Sequence, residues 1–394
     1  MERILGSQAR YRDRKLHPSR FNRSWCILTL ITGSIVAAIS GSGIADTIDT
    51  RKANIATVNV GLEPQGLVVT PDGSAVYVAN SGSNTVSVIS SPANSVVATI
   101  PVGNVPMFVA VSPDGSTVFV SNNQDGTVSV ISTKTKTVTN TISVGTAPLG
   151  LAVKPDGSQL WVCTAGAGIN EGTVVIVDTS TLATTNSLTI PVGQRPLQLV
   201  FNPAGTRAHV LNQGDLSAGG GQVQGYMTNI DATKERILGE RTFMQDNIAP
   251  SGIAMALKDF EEVYISCLQS EKEVVKIGNR PTFVISVFPF TSGPHPNLKS
   301  YLTGIASGGG HFGARDLFIA DPGENKLVRI RETWNYSPGD RTSSHCVWLG
   351  EDITPMYVAL SPVLVGFHQD VHYVYTSNPS SGTVSVIDNL NIAD

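Results

Sequence analysis

Four stretches of the chain repeat one plan: GLEPQGLVVTPDG from Gly61, GNVPMFVAVSPDG from Gly103, GTAPLGLAVKPDG from Gly145 and GQRPLQLVFNPAG from Gly193. Each runs into an alternating segment that ends on or near an asparagine: VYVAN at 76–80, VFVSN at 118–122, LWVCT at 160–164 and AHVLN at 208–212. A further run follows, TVSVI at 85–89, TVSVI at 127–131 and TVVIV at 173–177. The unit closes with VVATI at 96–100, VTNTI at 138–142 and NSLTI at 186–190. Each unit therefore holds four short strands separated by turn residues. The Pro-Asp-Gly turns mark hairpins, because Pro presets φ and Gly accepts positive φ. Repeated four-strand units of this length are the signature of propeller blades.

One marker per unit counts the blades. The second strand ends at Asn80, Asn122, Thr164, Asn212, Cys267, Asp321 and Asn378, with spacings of 42 residues at first that widen to between 48 and 57. An aromatic register position three places earlier holds Tyr77, Phe119, Trp161, His209, Tyr264, Phe318 and Tyr375. The last unit stops after TVSVI at 383–387 without a fourth strand, while NIATVNV at 54–60 reads as a fourth strand lacking a unit of its own. The expectation is an all-β, seven-bladed β-propeller of four-stranded antiparallel blades, closed by its N-terminal strand, which protects edges that would otherwise pair with other chains. Charged residues at 15% and abundant β-branched residues agree with an all-β chain.

The first 45 residues differ from the rest. Arg3, Arg10, Arg12, Arg14, Lys15, Arg20 and Arg23 precede an apolar run from Trp25 to Ile39, and small residues follow to Ala45. This pattern predicts a secretory signal over 1–45, cleaved after Ala45, and a propeller over 46–394 in the periplasm, at the cell surface or secreted. The run is short for a membrane span, which needs roughly 20 apolar residues. The long basic leader leaves an uncleaved anchor as the alternative, and only then is a membrane a partner. With Cys26 in the leader, Cys163, Cys267 and Cys346 imply no disulfide framework. A net charge of -4 argues against a nucleic-acid partner.

The second-strand runs YVAN at 77–80 and YTSN at 375–378 resemble the YVTN family of β-propeller repeats. The resemblance is close over blades one to three and the second and third strands of blade seven, and loose from about Arg207 to Pro362. It implies an extracytoplasmic propeller with no fixed reaction. Related seven-bladed propellers include lactonases, a streptogramin lyase and quinoprotein subunits, so the fold does not choose among functions.

In a propeller the fourth-to-first and second-to-third connections emerge on one face. The ligand-binding candidates placed there are Glu63, Gln194, Arg195, Asp215, Asn247, Glu271 and Asp321, with Asn104, Asp125 and Glu171 beside them. Insertions at 165–172 and 214–222 lengthen two adjacent loops on the same face, and long loops on a rigid scaffold often carry function. Solvated turn residues are the plainer reading of the set. The asparagines that end the second strands are expected to bond their own turn backbone. His209 sits in the aromatic register and is expected to pack. His311, His368 and Asp370 are placed in first-to-second strand connections of neighbouring blades on the opposite face, where they could hold one divalent metal or simply be surface loops. The chain has no Cys-x-x-Cys-His haem motif, no nucleotide-binding loop, no Gly-x-Ser-x-Gly elbow and no Asp-rich calcium loop. Two functions follow. One is a non-catalytic binding or scaffold protein for a cell-surface, protein or small-molecule ligand. The other is a lactonase-like hydrolase or lyase, with Glu63, Asp215, Glu271 and Asp321 as candidates around a metal.

Overall fold

The structure is a computed structural model. It describes residues 47–48, 55–91, 93–165, 172–184, 190–193, 195–213, 225–243, 250–255, 263–267, 273–277, 284–289, 305–309, 314–322, 325–333, 341–349, 354–365 and 368–388. Alternating apolar runs broken by turn residues give strands, and the strands assemble into seven sheets. Blade one shows the plan: Pro64–Val69 innermost, then Ala75–Asn80, Thr85–Ser90 and Ser95–Pro101, each antiparallel to the last. The innermost strand of each blade contacts that of the next, and the last contacts the first, so the sheets form a closed ring.

Closure follows the expected route. Ile55–Asn59 pairs antiparallel with Thr383–Asp388 and supplies the fourth strand of blade seven. Blade six has a fifth strand that the sequence does not announce: Thr47–Ile48 lies parallel on the outer edge of Arg341–Trp348, which holds His345. All seven second strands end at the marker residues. The fourth strand of blade three runs Ile190–Gly193, later than NSLTI.

Blade-to-blade packing rests on the aromatic register. None of Tyr77, Phe119, Trp161, His209, Tyr264, Phe318 and Tyr375 is more than 6% exposed, so each fills the gap between sheets. His209 packs there as expected and meets Asn229 Oδ1 through Nδ1 at 2.7 Å. At the closure, the Tyr375 hydroxyl shares a 2.6 Å hydrogen bond with Ser91 Oγ of blade one. Cys163 is buried between strands, and desolvation pushes its thiol up, which makes it unreactive.

The lower-face turns share one device. Asp72, Asp114 and Asp156 each accept from the N–H and hydroxyl of the serine two places on. In blade four, where Ala204 lacks a carboxylate, Asn202 Oδ1 takes over and accepts from Thr206 N and Arg207 N.

At the ring's centre, the second residue after the strand-opening proline alternates in size: Gly66, Phe108, Gly150, Gln198, Gly252 and, in blade seven, Tyr357. The small positions are forced by close approach. A Cβ on Gly150 would lie 2.5 Å from Leu197 O and 2.6 Å from Gln198 Cα. Gly150→Ala is expected to lower stability by about 1–3 kcal/mol, the usual cost of overpacking. A denaturant titration with an unchanged midpoint would show instead that blade four yields freely.

Candidate functional site

On the upper face, the connection into each of the first four blades reads Gly-x-x-Pro, and the residue before the proline is left-handed. Glu63, Val105, Ala147 and Arg195 have φ of 50, 52, 49 and 50°. Such φ values are uncommon outside glycine, and for a branched residue such as Val105 they signal strain. The turn aims each carbonyl at the chain just past the second strand. Glu63 O accepts from Ser81 N, Val105 O from Asn123 N, Ala147 O from Ala165 N and Arg195 O from Gln213 N, at 2.9–3.3 Å. The upper loops are therefore latched to their own blades. Glu63 and Arg195, both singled out from the sequence, occupy equivalent latch positions in blades one and four.

The second-strand asparagines of blades one, two and seven do not bond their own turn backbone as expected, while Asn212 Nδ2 donates to the Val210 and Tyr226 carbonyls and to Thr228 Oγ1. Asn80 Nδ2 donates to Thr85 Oγ1 and Ser87 Oγ, Asn122 to Thr127 and Ser129, and Asn378 to Thr383 and Ser385, at 2.9–3.1 Å. The motif is thus Asn, Thr five places on, Ser seven places on, and it fixes the second strand to the third. A β-strand places both hydroxyls on one face, which is why they converge on a single amide. Blade three replaces the amide by a 2.6 Å bond between the Thr164 and Thr173 hydroxyls. Asp321 occupies the same position in blade six, buried and opposite Lys326 in register.

Asn104 and Asp125 are also drawn into the scaffold. Asp125 Oδ2 accepts from Asn104 N at 2.7 Å, and its Oδ1 from Asn104 Nδ2 at 2.8 Å. Asn84 of blade one bonds Asn104 Oδ1 and accepts from Val105 N, tying blade one to blade two.

Glu63 retains a second role. Its side chain lines an upper-face pocket of about 520 Å³ with Leu62, Gln65, Pro379, Ser380, Ser381 and Gly382. This pocket sits at the closing seam, where Val60 N donates to Gly382 O at 3.0 Å. Leu62 is 65% exposed, and Thr354 and Ser380 share a 2.5 Å hydroxyl bond at the rim. An apolar side chain, a carboxylate and hydroxyls side by side suit recognition of a ligand that brings both apolar surface and donors.

The central cavity is different in character. It measures about 140 Å³ and draws on the innermost strands of all seven blades. Among its described lining residues Leu67, Phe108, Leu151, Leu199, Ile253 and Ile305 are apolar and Gln198 and Tyr357 carry polar side chains, yet polar atoms make up the larger share of the exposed lining. Phe108 and Tyr357 meet edge-on, with ring centroids 5.2 Å apart at 78°. Sequence reasoning missed this pair, although PMFVAVSP at 106–113 recurs as PMYVALSP at 355–362 and puts Tyr357 in the place of Phe108.

A groove on the lower face, about 590 Å³, lies between blades two and three and is lined by Asp114, Asp156 and many hydroxyls. Its carboxylates are already engaged. The Ser112 hydroxyl holds Asp114 below the usual carboxylate range, and the Ser158 hydroxyl does the same for Asp156.

Of the other candidates, Gln194, Asp215, Asn247, Glu271, Glu171 and His311 lie outside the described residues, as do most of the two loop insertions. His368 and Asp370 are not in a connection. They belong to the strand His368–Asn378, paired with Val365 and Val363, because blade seven lacks the Pro-Asp-Gly stop and its first two strands stay paired out to Val365 and His368. Their side chains are outside the described set. Among the described residues no group of three His, Cys, Asp or Glu could hold a metal ion. Asp321 is buried within blade six, whereas Glu63 is exposed at the seam, so the two described carboxylates of the hydrolase set have unlike surroundings.

The family model for Lactonase, 7-bladed β-propeller, matches residues 45–150. A search of the curated proteins finds no match. Among solved structures, hydrazine synthase from Kuenenia stuttgartiensis is similar with a TM-score of 0.68 at 18% identity, covering 91% of this chain and 100% of that one. The U3-55K structure follows with a TM-score of 0.64 at 12% identity, covering 85% of this chain and 98% of that one. The RRP9 WD40 repeats give 0.63 at 12% identity, covering 86% and 98%. At these identities the likeness concerns the fold alone. The chain is thus a β-propeller repeat protein, seven sheets in a closed ring, similar to the propeller lactonases over residues 45–150.

Proposed function

We propose that the chain is an exported, non-catalytic binding propeller of the periplasm or cell surface, with its recognition site on the upper face at the seam between blades seven and one. The observation that carries this reading is the seam pocket, where exposed Leu62 adjoins the Glu63 carboxylate and the Ser380 and Ser381 hydroxyls. Elsewhere on that face Asn84, Asn104 and Asp125 are spent on holding loops. Export is inferred from the leader pattern over 1–45. In a direct test, purified protein is titrated onto isolated cell envelopes. Leu62→Asp and Glu63→Ala are each expected to weaken binding by about tenfold or more, as central contacts of a small interface do. Equal binding by both variants would remove the seam from consideration.

A second reading, a lactonase-like hydrolase, is favoured by the family match over residues 45–150. It requires lactone turnover above the uncatalysed rate that falls with Glu63→Gln or Asp321→Asn in folded protein. Turnover that either substitution abolishes would displace the binding reading.

A further inference from the structure

The hydroxyls of the seam pocket are already engaged. Ser381 Oγ bonds the Asn378 carbonyl at 3.3 Å and Thr383 Oγ1 at 2.7 Å, and Ser380 Oγ meets Thr354. Two other groups are not. Glu63 Oε2 accepts one long bond from Ser81 Oγ, at 3.4 Å, and among the described residues Oε1 has no donor and the carboxylate no cation. The Gln65 carboxamide, half-buried in the same pocket, has no hydrogen-bond partner among the described residues either.

The surface around them is fixed in advance. Leu62 N donates to Ser83 Oγ, Leu62 O accepts from Gly82 N and Glu63 O from Ser81 N, at 3.0–3.1 Å. The Leu62 and Glu63 side chains lie together over Gly82, where an added Cβ would fall 3.0 Å from Leu62 Cβ and 3.2 Å from Glu63 Cγ. Leu62 is one of two large apolar side chains exposed among the described residues. An uncompensated carboxylate and an exposed apolar side chain therefore stand side by side on a held main chain, which lowers the ordering cost of binding.

That pairing matches a cationic head on an aliphatic stem, as lysine and arginine carry. A bare metal ion would use Glu63 and leave Leu62 in water, and a lipid chain would do the reverse. The carboxamide of Gln65 offers a donor and an acceptor together, the complement of a peptide group.

We propose that the seam pocket binds a lysine- or arginine-bearing segment of a partner protein, its basic head on Glu63, its stem on Leu62 and its main chain on Gln65. This ligand class rests on the seam being the recognition site. The probe is the blocked peptide acetyl-Ala-Ala-Lys-Ala-Ala-amide, titrated against the full chain by ligand-observed NMR. Its controls are the same peptide with norleucine for lysine, which keeps the stem without the charge, and n-butylamine, which keeps stem and charge without the peptide. Saturable binding of the lysine peptide is expected, about two- to fivefold tighter than the norleucine peptide, the usual worth of an exposed ion pair. Glu63→Gln removes that difference, and Glu63→Lys transfers the preference to the peptide with glutamate in place of lysine. Gln65→Met weakens both peptides about two- to tenfold, as loss of one hydrogen bond does, and leaves n-butylamine unchanged. An unfolding midpoint for each variant confirms that the ring is intact. The proposal is overturned by no saturable peptide binding, by equal affinity for the norleucine peptide, by n-butylamine binding as tightly as the peptide, or by a preference for lysine that survives Glu63→Gln. Envelope binding lost in Leu62→Asp together with no peptide binding overturns this ligand class while the seam stands. Envelope binding untouched by Leu62→Asp and Glu63→Ala overturns both.

Discussion

Removing residues 46–60 is expected to abolish cooperative folding, whereas removing only 46–53 leaves a folded protein. The longer deletion takes Ile55–Asn59, whose five residues pair in unbroken register with Thr383–Ile387. Val58 is buried in a cluster that joins Leu67, Val76 and Val78 of blade one to Tyr375, Val384 and Val386 of blade seven. Without that strand, Thr383–Asp388 becomes a bare edge of alternating apolar residues, the kind of edge that natural sheets avoid exposing. The seam then loses main-chain pairing and core contacts together, so the loss should exceed about 5 kcal/mol, beyond what single substitutions ordinarily do. Among the described residues the shorter deletion removes the two-residue addition to blade six, where Thr47 and Ile48 pair with His345 and Cys346. A loss of about 1 kcal/mol or less is expected from that. Circular dichroism with denaturant titration separates the two. If the longer deletion still unfolds in one sharp transition, closure by the N-terminal strand is not what holds the ring.

This contrast also marks how much was legible in the sequence. Period-two alternation and Pro-Asp-Gly turns are local signals, and they place the second strands correctly even in blades four to seven, where the repeat is worn. Closure was legible because a missing strand at one end and a surplus strand at the other can be matched by count. What was not legible depends on contacts between distant positions. Nothing near Thr47 announces a parallel partner at His345. The left-handed residue before each proline runs against that residue's usual extended preference and is imposed by the latch to the second strand. Asn80 looks like a turn former, and only the paired third strand shows that Thr85 and Ser87 take its amide. The site candidates divide in the same way. Choosing the upper face brought Glu63 into view, but its pocket partners Pro379–Gly382 come from the other end of the chain. Tyr357 was hidden because blade seven keeps the first half of the repeat motif and loses its turn.

Trp161→Ala is the single substitution expected to cost most, about 3–5 kcal/mol, as for other large buried aromatics. The indole is fully buried in the aromatic register of blade three and meets Phe201 of blade four edge-on, with centroids 5.1 Å apart at 73°. Its N–H donates to Gln159 Oε1 at 3.2 Å, and Gln159 Nε2 donates in turn to Glu235 Oε1 of blade four at 2.8 Å. The alanine variant loses dispersion across the blade interface, opens a cavity and leaves that relay without its anchor. Trp161→Phe retains a ring against Phe201 and loses the relay, so about 1–2 kcal/mol is expected, part smaller volume and part hydrogen bond. His209→Phe at the equivalent position of blade four inverts the trade: volume is kept, while Asn229 Oδ1 loses its 2.7 Å partner and stays buried. A buried acceptor stripped of its donor costs about 1–3 kcal/mol. The predicted order in a denaturant titration is therefore Trp161→Ala well above the other two. If His209→Phe proves the most damaging instead, polar pairing rather than aromatic packing carries the interfaces between blades, and the register would have been read correctly for the wrong physical reason.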